Sequence, residues 1–222
     1  MWRDALLVAG KDLRIELRSR VVVNQVAPFA VLVLVLFAFA VGPQRAPMAH
    51  AAAGFFWVAV LFSAVLAVQR STAVESAEGA RDGLRLSGLD PAGVFLGKTA
   101  AVAVQLVVLE VLLGLGVVLL YGTTVRSVGG LVAAAAVGTA GLAAVGTLYG
   151  ALSSGLRVRE TLLPLLLLPV AAPVLLAGTR AWQSALGTSG AAAGPWMRLL
   201  LVFAAVYLAL GVVVFGPMQE AA

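Results

Sequence analysis

Three carboxylates stand at helical spacing in the longest polar stretch of the chain, residues 69–97. Glu75, Glu78 and Asp82 follow one another at i, i+3 and i+7, a spacing that lines one face of a helix. Apolar contacts just beyond them are available from Leu84, Leu86 and Leu89. The pattern predicts a short helix that offers carboxylates and leucines to a partner protein. A solvated turn without a partner is the alternative, and composition alone leaves both open.

Residue types for catalysis or metal binding are scarce. His50 is the only histidine and there is no cysteine, so we expect neither a Ser-His-carboxylate triad nor a transition-metal site. An axial haem ligand at His50 would lack a second histidine or cysteine to support it. The run GVFLGKT at 93–99 resembles a phosphate-binding loop, but only three residues separate its glycines. We therefore expect no catalytic, cofactor-binding or metal-binding residue in this chain.

Glu110 is the one acidic residue that lies deep within an apolar stretch. A charge at the centre of a bilayer costs at least about 2.5–3.5 kcal/mol on insertion scales, so this side chain should be paired, protonated or directed into a cavity. One interpretation is a coupling or gating contact within a complex. The other is a protonated carboxyl that is hydrogen-bonded to a neighbouring helix.

Prolines and glycines mark two further apolar stretches. Each of Pro164, Pro169 and Pro173 removes a backbone donor and can kink a helix. Because the freed carbonyls need partners in lipid, we expect this stretch to be buried against protein, as a statically kinked helix or as a moving one. Small residues at four-residue spacing allow close helix approach, either within the subunit or across a dimer. They are Gly146, Gly150 and Ser154.

The composition requires a membrane around these elements. Hydrophobic residues make up 62% of the 222 residues and charged residues 11%, against about 25% charged in soluble domains. Apolar runs near the ~20 residues that span a bilayer as a helix predict a single all-α transmembrane domain over residues 1–222. Alternating strands of a barrel are absent from the pattern. The predicted spans are 21–42, 50–68, 98–120, 128–152, 160–177 and 196–215.

The first twenty residues predict an amphipathic helix in the membrane interface, with a frayed tail as the alternative. Its apolar side is formed by Trp2, Ala5, Leu6, Ala9, Leu13 and Leu17. Arg3, Lys11, Arg14 and Arg18 lie on the opposite side. Leu7, Val8 and Ile15 lie off the apolar face.

Lysine and arginine are divided unevenly between the two ends of the spans. With the N-terminus inside, eleven lie on the inner side: Arg3, Lys11, Arg14, Arg18, Arg20, Arg70, Arg81, Arg85, Lys98, Arg157 and Arg159. The other four are Arg45, Arg126, Arg180 and Arg198. This asymmetry predicts cytoplasmic N- and C-termini. The basic residues behind the net charge of +5 then serve to orient the spans, and we expect no nucleic-acid partner.

Two blocks resemble the heme exporter protein B (CcmB) family, and the resemblance extends over nearly the whole chain. The first runs from Phe55 to Lys98 and contains the family's tryptophan, inner arginine, acidic stretch and lysine. These features correspond to Trp57, Arg70, Glu75, Glu78, Gly79, Asp82, Gly83, Leu84, Gly97 and Lys98. The second block, residues 146–181, carries a basic turn, a glutamate and a proline-bearing span. Ser87-Gly88 stands where many members have Ala-Pro.

The resemblance implies an architecture like that of ABC-2 exporters and a permease subunit in the bacterial inner membrane. A separate cytoplasmic ATPase would hold ATP and Mg, so the chain itself is not expected to be an enzyme. Its contacts with the ATPase would come from Arg70, Glu75, Glu78, Asp82, Leu84 and Leu86. The other implied partners are a haem-handling membrane protein, a periplasmic haem chaperone and a second copy of the chain. Haem is implied as a cargo rather than as a bound cofactor.

Two other functions remain open at this stage. The same architecture would serve an ABC-2-type exporter of another hydrophobic cargo. A scaffold that holds a complex together and transports nothing is the third possibility.

Overall fold

The computed structural model describes residues 1–41, 45–76, 88–153, 159–190 and 192–221. These residues form seven α-helices and contain no strand. The helices are α1 (Trp2–Ser19), α2 (Ala27–Val41), α3 (Arg45–Ser76), α4 (Pro91–Tyr121), α5 (Val128–Ser153), α6 (Arg159–Ala185) and α7 (Gly194–Ala221). A π-helical turn, Val22–Val26, leads into α2.

Six of these helices carry segments long and apolar enough to cross a membrane, which confirms the predicted all-α membrane protein with six spans. The segments are Val22–Val41, Pro47–Val74, Pro91–Tyr121, Val128–Ser153, Leu162–Ala185 and Gly194–Met218. With 32 and 31 residues, α3 and α4 are longer than the ~20 residues that the hydrocarbon layer needs. Both extend beyond their predicted spans on the side of residues 77–87. At that end of the bundle, α3 and α4 therefore continue as helices beyond the predicted spans.

Local sequence explains where α4 begins and ends. Asp90 is its N-cap, and the carboxylate accepts a hydrogen bond from the Ala92 N–H at 3.0 Å. Pro91 occupies the first helical position, where a missing N–H has no consequence. Gly122 ends the helix with a φ of 58°, a left-handed conformation that glycine adopts without strain. The N-cap comes two residues after Gly88, the first residue described beyond segment 77–87.

The core of the bundle is built around Trp57 of α3. Its indole is fully buried and lies against Gly138 of α5 and Gly178 of α6. A methyl group at either glycine would overlap the ring, so the absence of side chains there lets three helices meet. Beside it, the rings of Phe56 and Trp182 stack with their centroids 3.6 Å apart.

The glycine strip of α5 packs within the chain. Gly146 lies against Val68, and Gly150 lies against Val68 and Thr72, all on α3. These contacts favour the packing interpretation over a dimer interface for the two glycines. Ser154 lies outside the described residues.

The proline-bearing helix α6 is continuous and packs on the rest of the chain along one side. It runs without interruption through Pro164, Pro169 and Pro173, but Pro169 and Pro173 are exposed. One stripe of the span is buried within the chain, and the burial of these two prolines against protein stays a prediction. The buried residues occupy one stripe at three- and four-residue spacing, Leu163, Leu167, Ala171 and Val174. Two of the prolines fall off that stripe.

Helix α1 is present as predicted, but its apolar residues divide between two sides. Ala5 and Val8 are buried, whereas Trp2, Leu6 and Leu17 are 71%, 75% and 75% exposed. Val8, which the helical pattern placed off the apolar face, is 2% exposed. One side of α1 packs on α4, and the other side is exposed.

Candidate functional site

The residues predicted to contact a partner lie mostly beyond the described part of the chain. Glu78, Asp82, Leu84 and Leu86 fall in segment 77–87, outside the described residues, and the prediction for them stays a prediction. The backbone of Glu75 is in the last turn of α3. The structure does describe both helix ends that hold this segment, Ser76 of α3 and Asp90 at the start of α4.

Helix α1 packs directly on the first turns of α4 through two glycines. A Cβ at Gly97 would lie 2.5 Å from the Ala5 carbonyl oxygen and 2.8 Å from the Val8 Cβ. A Cβ at Gly93 would lie 2.7 Å from the Met1 carbonyl oxygen and 2.9 Å from the Asp4 Cβ. The Gly-xxx-Gly spacing thus brings the two backbones together, as small residues do between membrane helices.

A charged pair joins the same two helices. The Lys98 Nζ lies 3.9 Å from the Asp12 Oδ2, and only 7% and 14% of the two side chains are exposed. The ammonium is buried because α1 covers the part of α4 at which Lys98 lies. Lys11 also pairs with Asp12, at 2.8 Å.

Both ends of α1 are fixed by carboxylates. The Asp4 Oδ2 accepts hydrogen bonds from the Met1 ammonium at 3.2 Å and from the Asp90 N–H at 3.3 Å. These two donors, the ammonium first, hold the pKa of Asp4 below its usual value. At the other end, the Glu16 Oε1 accepts from the Val22 N–H at 2.6 Å. Helix α1 is therefore attached to the N-cap of α4 and to the start of the first span.

Arg70, predicted as a partner contact, is exposed on α3 and also borders α1. It lines a small cavity together with Asp12, Glu16, Ser71 and Gln105. The cavity measures about 30 Å³, enough for a water molecule among polar partners. Arg70 therefore belongs to a polar junction of α1, α3 and α4.

These contacts let α1 connect three elements at one end of the bundle. It contacts the first span through Glu16, α3 through the cavity at Arg70, and α4 through Gly93, Gly97 and Lys98. The start of α4 and the start of the first span are therefore both held against α1, at the end of the bundle where α3 ends and α4 begins.

Glu110 is hydrogen-bonded across helices in the middle of the bundle. Its side chain is 6% exposed, and its Oε1 accepts from the Thr139 hydroxyl of α5. This contact agrees with the interpretation of a carboxyl that is hydrogen-bonded to a neighbouring helix, and a coupling or gating role for Glu110 within a complex stays a prediction. Thr139 carried no sequence pattern that would have identified it as the partner.

His50 lies at the end of the bundle opposite α1. Its Nδ1 is 3.3 Å from the Thr188 carbonyl oxygen, and its own carbonyl accepts from the Gln183 Nε2 at 3.2 Å. The described part of the chain contains no cluster of metal-ligating residues. The His50 contacts connect α3 to the end of α6 and the loop that follows it.

Comparison with known proteins gives one consistent result. The family model described as CcmB protein matches residues 3–218. Heme exporter protein B of Paracoccus denitrificans is 31% identical over 212 residues, covering 92% of this chain and 91% of that protein. Heme exporter protein B of Haemophilus influenzae is 29% identical over 180 residues, and that of Pseudomonas aeruginosa is 28% identical over 180. Each of these two matches covers 81% of both chains.

Proposed function

We propose that this chain, which belongs to the CcmB protein family, is the membrane permease subunit of an ABC transporter for haem export in bacterial cytochrome c maturation. The observation that carries the proposal is the match over residues 3–218 on a chain with six potential membrane spans. ATP and Mg would be bound by a separate ATPase subunit. The chain then contributes a path and a coupling surface, and it is not itself an enzyme.

Coupling would use the polar segment between α3 and α4. Glu75, Glu78 and Asp82 would face the ATPase on one side of a short helix, with Leu84 and Leu86 beside them. Two contacts of α1 support this assignment, the Asp4–Asp90 hydrogen bond and the packing at Gly93 and Gly97, because they hold the helix that leaves the segment. A movement of the segment would then be passed to α1 and the first span.

The eleven-to-four distribution of lysine and arginine supports cytoplasmic termini in the inner membrane. Segment 77–87 would then face the ATPase, and positions 42–44, 122–127 and 186–193 would lie on the periplasmic side. A haem-handling membrane protein and a periplasmic haem chaperone would meet the chain there or within the bilayer. ATP hydrolysis would drive haem export or the release of the haem-loaded chaperone.

A homodimer within the complex would cover the exposed prolines of α6. Pro169 and Pro173 supply no N–H to the carbonyls four residues earlier, and such carbonyls are poorly accommodated in lipid. Because the chain has no cysteine, cross-linking through introduced thiols is unambiguous. We expect Leu165→Cys and Leu176→Cys, both on exposed parts of α6, to form disulfide-linked dimers in membranes. Equal cross-linking of the control Leu119→Cys on α4 would contradict this dimer.

A haem stain of denatured membrane proteins tests the pathway. A strain that lacks the gene should lose covalent haem from its c-type cytochromes, and the gene supplied in trans should restore it. Normal covalent haem in a deletion strain without a duplicate gene would reject the haem function. The same six-span permease with another hydrophobic cargo would then be the better proposal.

A triple variant separates a coupled permease from a scaffold. Glu75→Ala, Glu78→Ala and Asp82→Ala together should leave membrane insertion intact and weaken ATPase co-purification and ATPase stimulation. Arg198→Ala, at the opposite end of the bundle, is the matched control and should change neither. Unchanged binding and unchanged ATPase activity in the triple variant would show that these carboxylates do not couple the two subunits.

A further inference from the structure

An apolar groove opens between α4 and α5 in the half of the bundle away from α1. Its volume is about 420 Å³, within the usual range of ligand sites. Val111, Leu115 and Val132 form its open rim and are 62%, 59% and 62% exposed. The stacked rings of Phe56 and Trp182 form part of its inner wall. The groove therefore opens on the side of the bundle, where lipid would lie, and its inner wall is part of the aromatic core.

The length of the groove corresponds to one leaflet. On α4 its lining runs from Val107, near the middle of the helix, to Val118. At about 1.5 Å per residue, this separation of eleven residues corresponds to about 16 Å, and half of a hydrocarbon layer is about 15 Å. Its other end is at Val125 and Val128, beside the loop that joins the two helices.

An arginine stands at that outer end. Arg126 lies between Val125 and Val128 in the chain and is exposed. Among the described residues no carboxylate pairs with it. The sequence also has no acidic residue at positions 42–49, 122–127 or 186–193. An anion that pairs with Arg126 would therefore come from outside these positions.

We propose that this groove is a binding site for one anionic phospholipid, with an acyl chain along the groove and the phosphate at Arg126. The apolar lining fits the chain, the length fits a single leaflet, and the cation at the mouth fits the headgroup. Near the deep end, the Glu110 carboxyl accepts a hydrogen bond from Thr139 of α5. Its Oε1 therefore has a polar partner in the protein and needs none from the acyl chain.

Native mass spectrometry of the full-length chain in detergent tests the site. The probes are phosphatidylglycerol and phosphatidylcholine with identical acyl chains. A basic residue near an anionic headgroup contributes about 1 kcal/mol, so we expect about a fivefold preference for phosphatidylglycerol. Arg126→Gln should remove this preference, and Arg198→Gln should keep it. Equal retention of the two lipids by the unaltered protein would overturn the proposed headgroup contact.

Filling the groove tests the acyl-chain contact. Ala136 lines the groove on α5 and is exposed, and Ala133 is exposed on the same helix outside the lining. Ala136→Phe should lose the retained lipid of either kind, whereas Ala133→Phe should retain it. Equal retention by the two variants would reject the site. The site would also be rejected if the protein is a dimer that only Ala136→Phe dissociates, while lipid retention is unchanged. The groove would then hold a second copy of the chain.

Trp182 gives a second readout that reports position. Phosphatidylglycerol brominated in its acyl chain should quench the Trp182 component of the fluorescence, obtained as the difference from Trp182→Phe. Ala136→Phe should lower this quenching, and Ala133→Phe should leave it unchanged. Quenching that persists in Ala136→Phe would mean that the lipid does not occupy the groove.

Discussion

The Lys98 ammonium of α4 lies 3.9 Å from the Asp12 carboxylate of α1, with both side chains largely buried. This pair joins two residues that are far apart in sequence and lies beside the glycines that let the two helices touch. It indicates that one side of α1 is a packed part of the bundle.

Loss of the Asp12 carboxylate alone should destabilise the protein more than loss of both Asp12 and Lys98. Asp12→Asn leaves the buried ammonium without this carboxylate, so we expect a loss of about 1–3 kcal/mol in unfolding free energy. Asp12→Asn combined with Lys98→Met should recover part of that loss, because no buried charge is left. Thermal unfolding in detergent measures both, and a double variant less stable than either single one would contradict this account.

Gly97 should tolerate no side chain. Gly97→Ala places a Cβ against the Ala5 carbonyl and the Val8 side chain, so α1 must move or the helices must strain, at about 1–3 kcal/mol. Limited trypsin digestion measures this, since Lys11, Arg14 and Arg18 of a displaced α1 become cleavable. Gly114→Ala on the same helix is the control, because its Cβ would meet only Trp182 at 4.0 Å. Equal protease resistance in both variants would show that α1 does not depend on the close contact.

Removal of the hydroxyl that bonds to Glu110 should cost more stability than replacement of both partners by apolar residues. Thr139→Val leaves the Glu110 carboxyl buried without this donor and should destabilise the protein by about 1–3 kcal/mol. Adding Glu110→Leu should restore most of the stability, because neither partner then remains polar. If the double variant is stable but no longer supports covalent haem attachment, Glu110 has a role in transport. If haem attachment is normal, its role is structural.

The Trp57 ring should prevent any larger residue from replacing the glycines that it contacts. Gly178→Ala would put a methyl group into the indole ring, so we expect a lower thermal unfolding temperature and poor recovery from membranes. Gly129→Ala on α5, where nothing lies within 4 Å, should behave like the unaltered protein. Similar unfolding temperatures for the two variants would mean that Trp57 can shift without penalty.

The spans could be predicted from the sequence because each depends on a local property, an apolar run near the length of a bilayer. The contacts of α1 could not, because Asp12 and Lys98 are 86 positions apart and one sequence gives no pairing information. In the sequence, Gly93 and Gly97 belong to a run that resembles a phosphate-binding loop, and Gly97 also belongs to the block that resembles the CcmB family. Their real role, the approach of α1, depends on which helix lies opposite.

Helical periodicity was also an incomplete guide to burial. In α1 it grouped Leu6 and Leu17 with Ala5, although only Ala5 packs on protein, and it left out Val8. An amphipathic pattern separates polar from apolar sides, but lipid and protein are both apolar surroundings. The sequence therefore could not distinguish the side of α1 that packs on α4 from the side that is exposed, and the same ambiguity applies to the exposed prolines of α6.

The position of Trp57 between Gly138 and Gly178 has a consequence for biosynthesis. Trp57 belongs to the second span, whereas the glycines belong to the fourth and fifth, which the ribosome makes later. The second span therefore enters the membrane before its largest side chain has a complementary surface. Until α6 has been inserted, the indole must rest against lipid or another protein, so the final packing of the bundle follows synthesis of most of the chain.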